Sequence, residues 1–161
     1  MEPDVRTPKA TDERGDVLDA YLKKIREWPQ QWCYEDSDLE YGLAAIEVFI
    51  PFMRWLVDQG YARTTLRRHC DNLCVLGNEV IQRRRQDCSL RNFSARNELL
   101  NLLDVDGGPL LYRPSLDDVD QRSFDATCRK LNAFMTRTIA PCRREVNMIT
   151  KDETDVAVAE K

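Results

Sequence analysis

The chain has 161 residues, 42% of them hydrophobic and 32% charged, which supplies one packed core and excludes two well-cored enzyme domains. Six glycines and seven prolines, two of each between Gly107 and Pro114, argue against a sandwich or barrel with a turn every ten or so residues and favour an all-α protein. A formal net charge of −4 leaves no global positive field, so any hold on nucleic acid or an anionic membrane must come from local patches.

In chain order, residues 1–15 are polar and are expected to form a flexible N-terminal tail. Val17, Leu18, Tyr21, Leu22, Ile25 and Trp28 then follow the period of a short amphipathic helix that Pro29 is expected to stop. Ser37-Asp38-Leu39-Glu40 has the pattern of a capping box opening a second helix. Leu39, Leu43, Ile46, Phe49, Ile50, Met53, Leu56 and Val57 form its inward side. A kink or restart is expected at Pro51 and an end at Gly60.

A third helix is predicted from about Thr64 to Gln86, with Leu66, Cys70, Leu73, Leu76, Val80 and Ile81 inward and arginines outward. Asp87 to Phe93 is a polar break, Ser94 caps a fourth helix, and Asp106-Gly107-Gly108-Pro109 is a turn, with Leu110-Leu111-Tyr112 open to a short extended segment. The last helix starts between Ser115 and Asp118, with Val119, Phe124, Cys128, Leu131, Phe134, Met135 and Ile139 inward, and ends before Pro141. The sum is a single compact bundle of about five helices over residues 16–140, with a mostly flexible C-terminal tail over 141–161.

The longest apolar run, Val48 to Met53, stops at Arg54, well short of the ~20 residues that cross a bilayer. Met1 to Arg6 has no apolar core of a signal peptide. A cytoplasmic location with no membrane partner is expected, and with it six reduced cysteines rather than a disulfide framework. Cys70 and Cys74 read as core thiols.

Charge is unevenly placed. Between Arg63 and Arg96 eight arginines face only Asp71, Glu79 and Asp87, and between Ala126 and Arg144 five cations face no acid, whereas Glu35 to Asp58 carries six acids against Arg54. Two readings follow: arginine forks that pair with phosphate, or a solvated face that pairs with the chain's own acids. Catalytic patterns are thin. His69 is the sole histidine, the cysteines lack a C-x-x-C pair, and Asp104-Val-Asp106-Gly107 lacks the remaining ligands of a calcium loop. No glycine-rich phosphate loop is present. No enzyme activity, metal, cofactor or small-molecule substrate is expected.

The run from Val48 to His69, with Phe49, Phe52, Trp55, Leu56, Gly60, Thr65, Leu66 and Arg68 in place, resembles the N-terminal core-binding (SAM-like) domain of the tyrosine recombinase and phage integrase family. The likeness covers residues 43–85 well and the last helix by general pattern. It implies a helical bundle that grips DNA phosphates and points to Thr64, Thr65, Arg67 and Arg68 as contacts. Ala62 stands where the family carries a capping serine and His69 where it carries an aromatic residue. No Arg…His-x-x-Arg…Tyr set follows, so strand cleavage is not expected. With the two basic stretches added, the candidate DNA-binding residues are Thr64, Thr65, Arg67, Arg68, Arg83, Arg84, Arg129, Lys130 and Arg137. The alternative is a protein-interaction or regulatory module of a mobile element, using the acidic stretch Asp36 to Glu47 or the aromatics Trp28, Trp32 and Tyr34.

Overall fold

A computed structural model describes residues 9–111 and 118–139. The helical stripes become α1 (Lys9–Trp32), α2 (Asp36–Asp58), α3 (Arg63–Gln86), α4 (Ala95–Leu102) and α5 (Asp118–Ile139), with a short 3-10 helix at Cys88–Asn92 and no strand among the described residues. The all-α class and the count of five main helices are as expected. The C-terminal tail, Tyr112, the stretch from Ser115 to Asp117, Pro141 and Cys142 lie outside the described residues.

α2 is the central helix, packed by α1, α3 and α4, while α3 is also covered by α1 and α5. Phe49, Phe52, Met53 and Leu56 of α2 are fully buried with Ile25, Trp28, Leu73, Leu76, Leu99 and Leu131. Phe52, Trp55 and Phe134 form a three-ring cluster joining α2 to α5, with ring centroids 5.5 to 5.8 Å apart. Such pairs add to area burial by about 0.5–1.5 kcal/mol each.

α1 differs from its sequence expectation at both ends. It starts at Lys9, inside the stretch read as a tail, and runs through Pro29 to Trp32. Proline inside a helix removes one hydrogen bond and costs ~3 kcal/mol. Continuing the helix keeps Trp28 and Trp32 four residues apart on one face, both buried, with their rings 5.7 Å apart. At roughly 4–6 kcal/mol for each buried tryptophan, tertiary packing outweighs the broken bond. The burial also removes both tryptophans from the exposed aromatics of the interaction reading; Tyr34 stays exposed.

The second helix begins earlier than the Ser37–Glu40 pattern suggests. Glu35 is the N-cap, and the buried Asp38 carboxylate accepts the backbone N–H groups of Tyr34 and Glu35, each at 3.1 Å. A short side chain at the third helical position closes back on the cap, so the box sits two residues upstream. α2 continues through Pro51, which is exposed along with Glu47, whose carbonyl loses its donor on the solvent side. Leu43, expected inward, is 48% exposed, as is Val119 at 65%; each lies at the edge of its helix's apolar stripe. Gly60, at φ +76°, ends α2 as expected.

Four residues, 59–62, separate α2 from α3. The Ser94 hydroxyl caps α4 by accepting the Asn97 amide at 3.3 Å. Gly77 of α3 sets how closely α1 approaches, because a Cβ there would stand 2.2 Å from the Trp32 ring.

Candidate nucleic-acid interface

The first turn of α3 carries no acid, and its N-cap, Ala62, offers no side chain to the free amides. Those amides and the helix dipole favour an anion. Around them Arg63, Thr64, Arg67 and Arg68 are exposed and Thr65 is half-buried. Arg67 is 80% exposed, with its Nε 3.9 Å from Asp71 Oδ2. Asp71 is held more closely by Lys24, at 2.8 Å, so Arg67 has a weak and solvated partner. Thr64, Arg67, Arg68, Asn72, Asp120 and Ser123 border an open groove of about 450 Å³ between α3 and α5, with Asp71 on its wall.

Lys130 reaches this end from α5, its Nζ 5.4 Å from the centre of the Tyr61 ring. Tyr61 meets His69 edge-on at 6.0 Å. His69 is buried, its Nδ1 2.8 Å from Thr127 Oγ1, while its Nε2 has no hydrogen-bond partner. Asn72 Nδ2 donates to Thr127 Oγ1 at 2.8 Å and to the Ser123 carbonyl at 3.0 Å, which locks α3 to α5 beneath the groove. Burial, then the positive charges of Lys130 and Arg68, pushes the His69 pKa down to about 4, so the imidazole is neutral at physiological pH.

The other predicted cations are elsewhere. Arg83 bonds Glu79 at 2.9 Å, one turn away on the same helix. Arg84 lies 4.0 Å over the Tyr41 ring and donates to the Arg91 carbonyl at 3.3 Å. Both are some 25 Å along α3 from Arg67, at 1.5 Å per residue. Beneath them the Tyr41 hydroxyl donates to the buried Glu98 carboxylate, whose Oε1 has no partner. Burial raises the Glu98 pKa even though the Tyr41 bond, Arg84 and Arg83 all oppose the shift. Arg129 donates to the Asp106 carbonyl at 2.9 Å and pins the loop before α5. Arg137 is exposed in the last turn of α5. The structure thus gathers Thr64, Thr65, Arg67, Arg68 and Lys130 and separates them from Arg83 and Arg84.

Sequence reasoning left Arg63 out of the candidate set although its charge was in view, and it missed the Lys24–Asp71 pair that loosens Arg67, because a contact across 47 residues leaves no local pattern. Burial pushes the Cys70 thiol up to about 12 and raises Cys128 as well, which removes both as nucleophiles at neutral pH. None of Cys33, Cys70, Cys74, Cys88 and Cys128 is in a disulfide, and Cys74 is half-buried against the core. Among the described residues no group of three or more His, Cys, Asp or Glu side chains could hold a metal, and no helix is long and apolar enough to cross a membrane.

No family model matches the chain, and neither a curated protein nor a solved structure matches it. The architecture is a five-helix all-α domain assigned to no family.

Proposed function

We propose that the protein is a non-catalytic DNA-binding module that holds phosphates at the N-terminal end of α3. One observation carries this reading: an uncapped helix start with no acid in its first turn is ringed by exposed Arg63, Thr64, Arg67 and Arg68. Free amides supply short-range hydrogen bonds to a phosphate, the guanidinium forks supply bidentate charge-assisted ones, and Lys130 adds a cation from α5. The resemblance of residues 48–69 to a recombinase core-binding domain supports the same end of α3 as the contact. Arg137 extends the basic edge along α5, whereas Arg83, Arg84 and Arg129 are occupied by protein acceptors and rings.

The test is an electrophoretic mobility assay on duplex DNA across a salt series. Replacing Arg67 and Arg68 by alanine is expected to weaken binding about equally on all sequences. The slope of log affinity against log salt should become shallower by roughly 0.9 for each phosphate that is no longer neutralised. A parent protein that binds no DNA at low salt, or a folded double variant that binds as the parent does, overturns the reading.

A second reading, a protein-interaction module, is favoured by Leu43, which is 48% exposed on α2 between the exposed acids Glu40 and Glu47. An apolar residue ringed by carboxylates suits a basic partner with an apolar anchor. Retention of the chain on such a partner, abolished in Leu43→Asp and kept in the arginine double variant, would favour it.

A further inference from the structure

Tyr34 joins α1 to α2 with 67% of its surface exposed. Its backbone is fixed, because its N–H donates to the buried Asp38 carboxylate at 3.1 Å. Its ring is fixed as well, because the Arg85 guanidinium, in the last turn of α3, lies 4.2 Å from the ring centre. Arg83 and Arg84 beside it are taken up by Glu79 and Tyr41. Among the described residues Arg85 pairs with no carboxylate. Gln82 and Gln86, three and one residues from Arg85, share its side of the helix, and with Tyr34 they line an open notch of about 390 Å³, within the usual range of ligand clefts.

We infer that this notch is a seat for one unstacked nucleobase of a single-stranded nucleic acid. The inference rests on the nucleic-acid reading above and adds the form of strand to it. The chemistry of the lining selects the ligand: a flat aromatic ring, a planar delocalised cation and two primary amides, each amide offering both donors and an acceptor. A planar heterocycle with donors and acceptors on its edge extends the Tyr34–Arg85 stack on a face that the pair leaves open, while its edge meets Gln82 or Gln86. A phosphate fits poorly, since the exposed carboxylates of Glu35 and Asp36 follow Tyr34 in the chain and only one cation lines the notch. A base inside a duplex is stacked on both faces and cannot enter. Arg67 lies 18 residues from Arg85 on α3, ~27 Å at 1.5 Å per residue. A strand of several nucleotides therefore reaches both the phosphate-binding end and the base seat.

The test is fluorescence anisotropy with labelled oligothymidylate, oligouridylate and a duplex of the same length, all long enough to span ~27 Å, titrated with the full chain. Tyr34→Ala is expected to weaken one or both single strands by roughly 5- to 150-fold, the range for losing one stacked base. Duplex binding should be unchanged, and Tyr34→Phe should keep the parent affinity because the ring remains. Loss on oligothymidylate or on oligouridylate alone supports the seat equally and identifies which of the two strands it accepts. An unchanged single-strand affinity in Tyr34→Ala, or an equal loss on duplex, overturns the base seat. The phosphate reading is scored separately by the Arg67/Arg68 double variant, which should weaken single strand and duplex alike. A parent that binds none of the three probes overturns both.

Discussion

The two ends of α3 use the same residue type for different work. At the N-terminal end Arg67 and Arg68 stand in solvent beside an uncapped helix start. At the C-terminal end Arg83 is folded back on Glu79, and Arg84 is stacked on Tyr41 above a buried carboxyl. Each end also buries one titratable group whose charge is poorly compensated, but the signs are opposite. His69 is a base kept neutral among cations, and Glu98 is an acid whose charged form is disfavoured despite two nearby arginines. The count of positive charges along a helix therefore does not measure its electropositive surface. What measures it is how many of those charges the rest of the fold has already engaged.

The comparison is broken most severely where α1 meets α3. Trp32 is buried against Gly77, with no room there for a Cβ. Trp32→Ala should cost ~3–5 kcal/mol, read as a lower urea midpoint. Gly77→Ala should be destabilising too, since a rigid indole has nowhere to move.

Next in size is the pH response, which differs in sign between the two ends. The His69 pKa is about 4 in the fold against an ordinary 6.5, so between those values the unfolded chain binds a proton that the folded chain refuses. Its contribution is fully present above pH 6.5 and falls as pH drops towards 4, by up to roughly 3 kcal/mol. Glu98 is raised above its ordinary value, so its contribution is present at low pH and fades as pH rises through the folded pKa. Urea unfolding from pH 7 to 4.5 should show His69→Gln losing less stability on acidification than the parent and Glu98→Gln losing more. Parallel curves for all three would remove the asymmetry.

Smaller again is Arg84→Ala, which takes the cation from the Tyr41 ring and from the neighbourhood of Glu98. A loss of ~1–2 kcal/mol is expected, with a further rise in the Glu98 pKa followed by carboxyl NMR shifts.

Legibility followed the same division. The helical period of residues such as Leu66, Cys70, Leu73 and Ile81 is local, and those stripes gave the five helices, the Gly60 stop and the Ser94 cap directly. Pro29 misled because the cost of one proline is visible in the sequence while the two tryptophans that outweigh it find their partners only in the folded bundle. At the candidate site, Thr64, Thr65, Arg67 and Arg68 are neighbours along one helix, and their grouping was legible. The engagement of Arg84 depends on Tyr41 and Arg91, residues from other elements, and no spacing rule reports that, whereas the Glu79–Arg83 pair has the i, i+4 spacing visible in the sequence.

The smallest expected effect sharpens the comparison most. Arg67 keeps 80% of its side chain in water, and Asp71, 3.9 Å away one turn along α3, is nearer to Lys24. Arg68 is exposed, and its charge is one of the influences that hold His69 neutral. Exposed ion pairs of this geometry contribute ~0–1 kcal/mol, and surface substitutions away from caps and cores usually stay within about 0.5 kcal/mol. Arg67→Ala should therefore leave the urea midpoint where it was. Arg68→Ala should do so at neutral pH and become slightly stabilising near pH 5, because one cation fewer lets His69 accept a proton at less cost. Side by side with Arg84→Ala, the pair separates charge that the fold uses from charge that is free for a ligand. A loss of 1 kcal/mol or more at Arg67 would mean that the N-terminal end is as engaged as the other, and would take away the physical basis for placing a phosphate there.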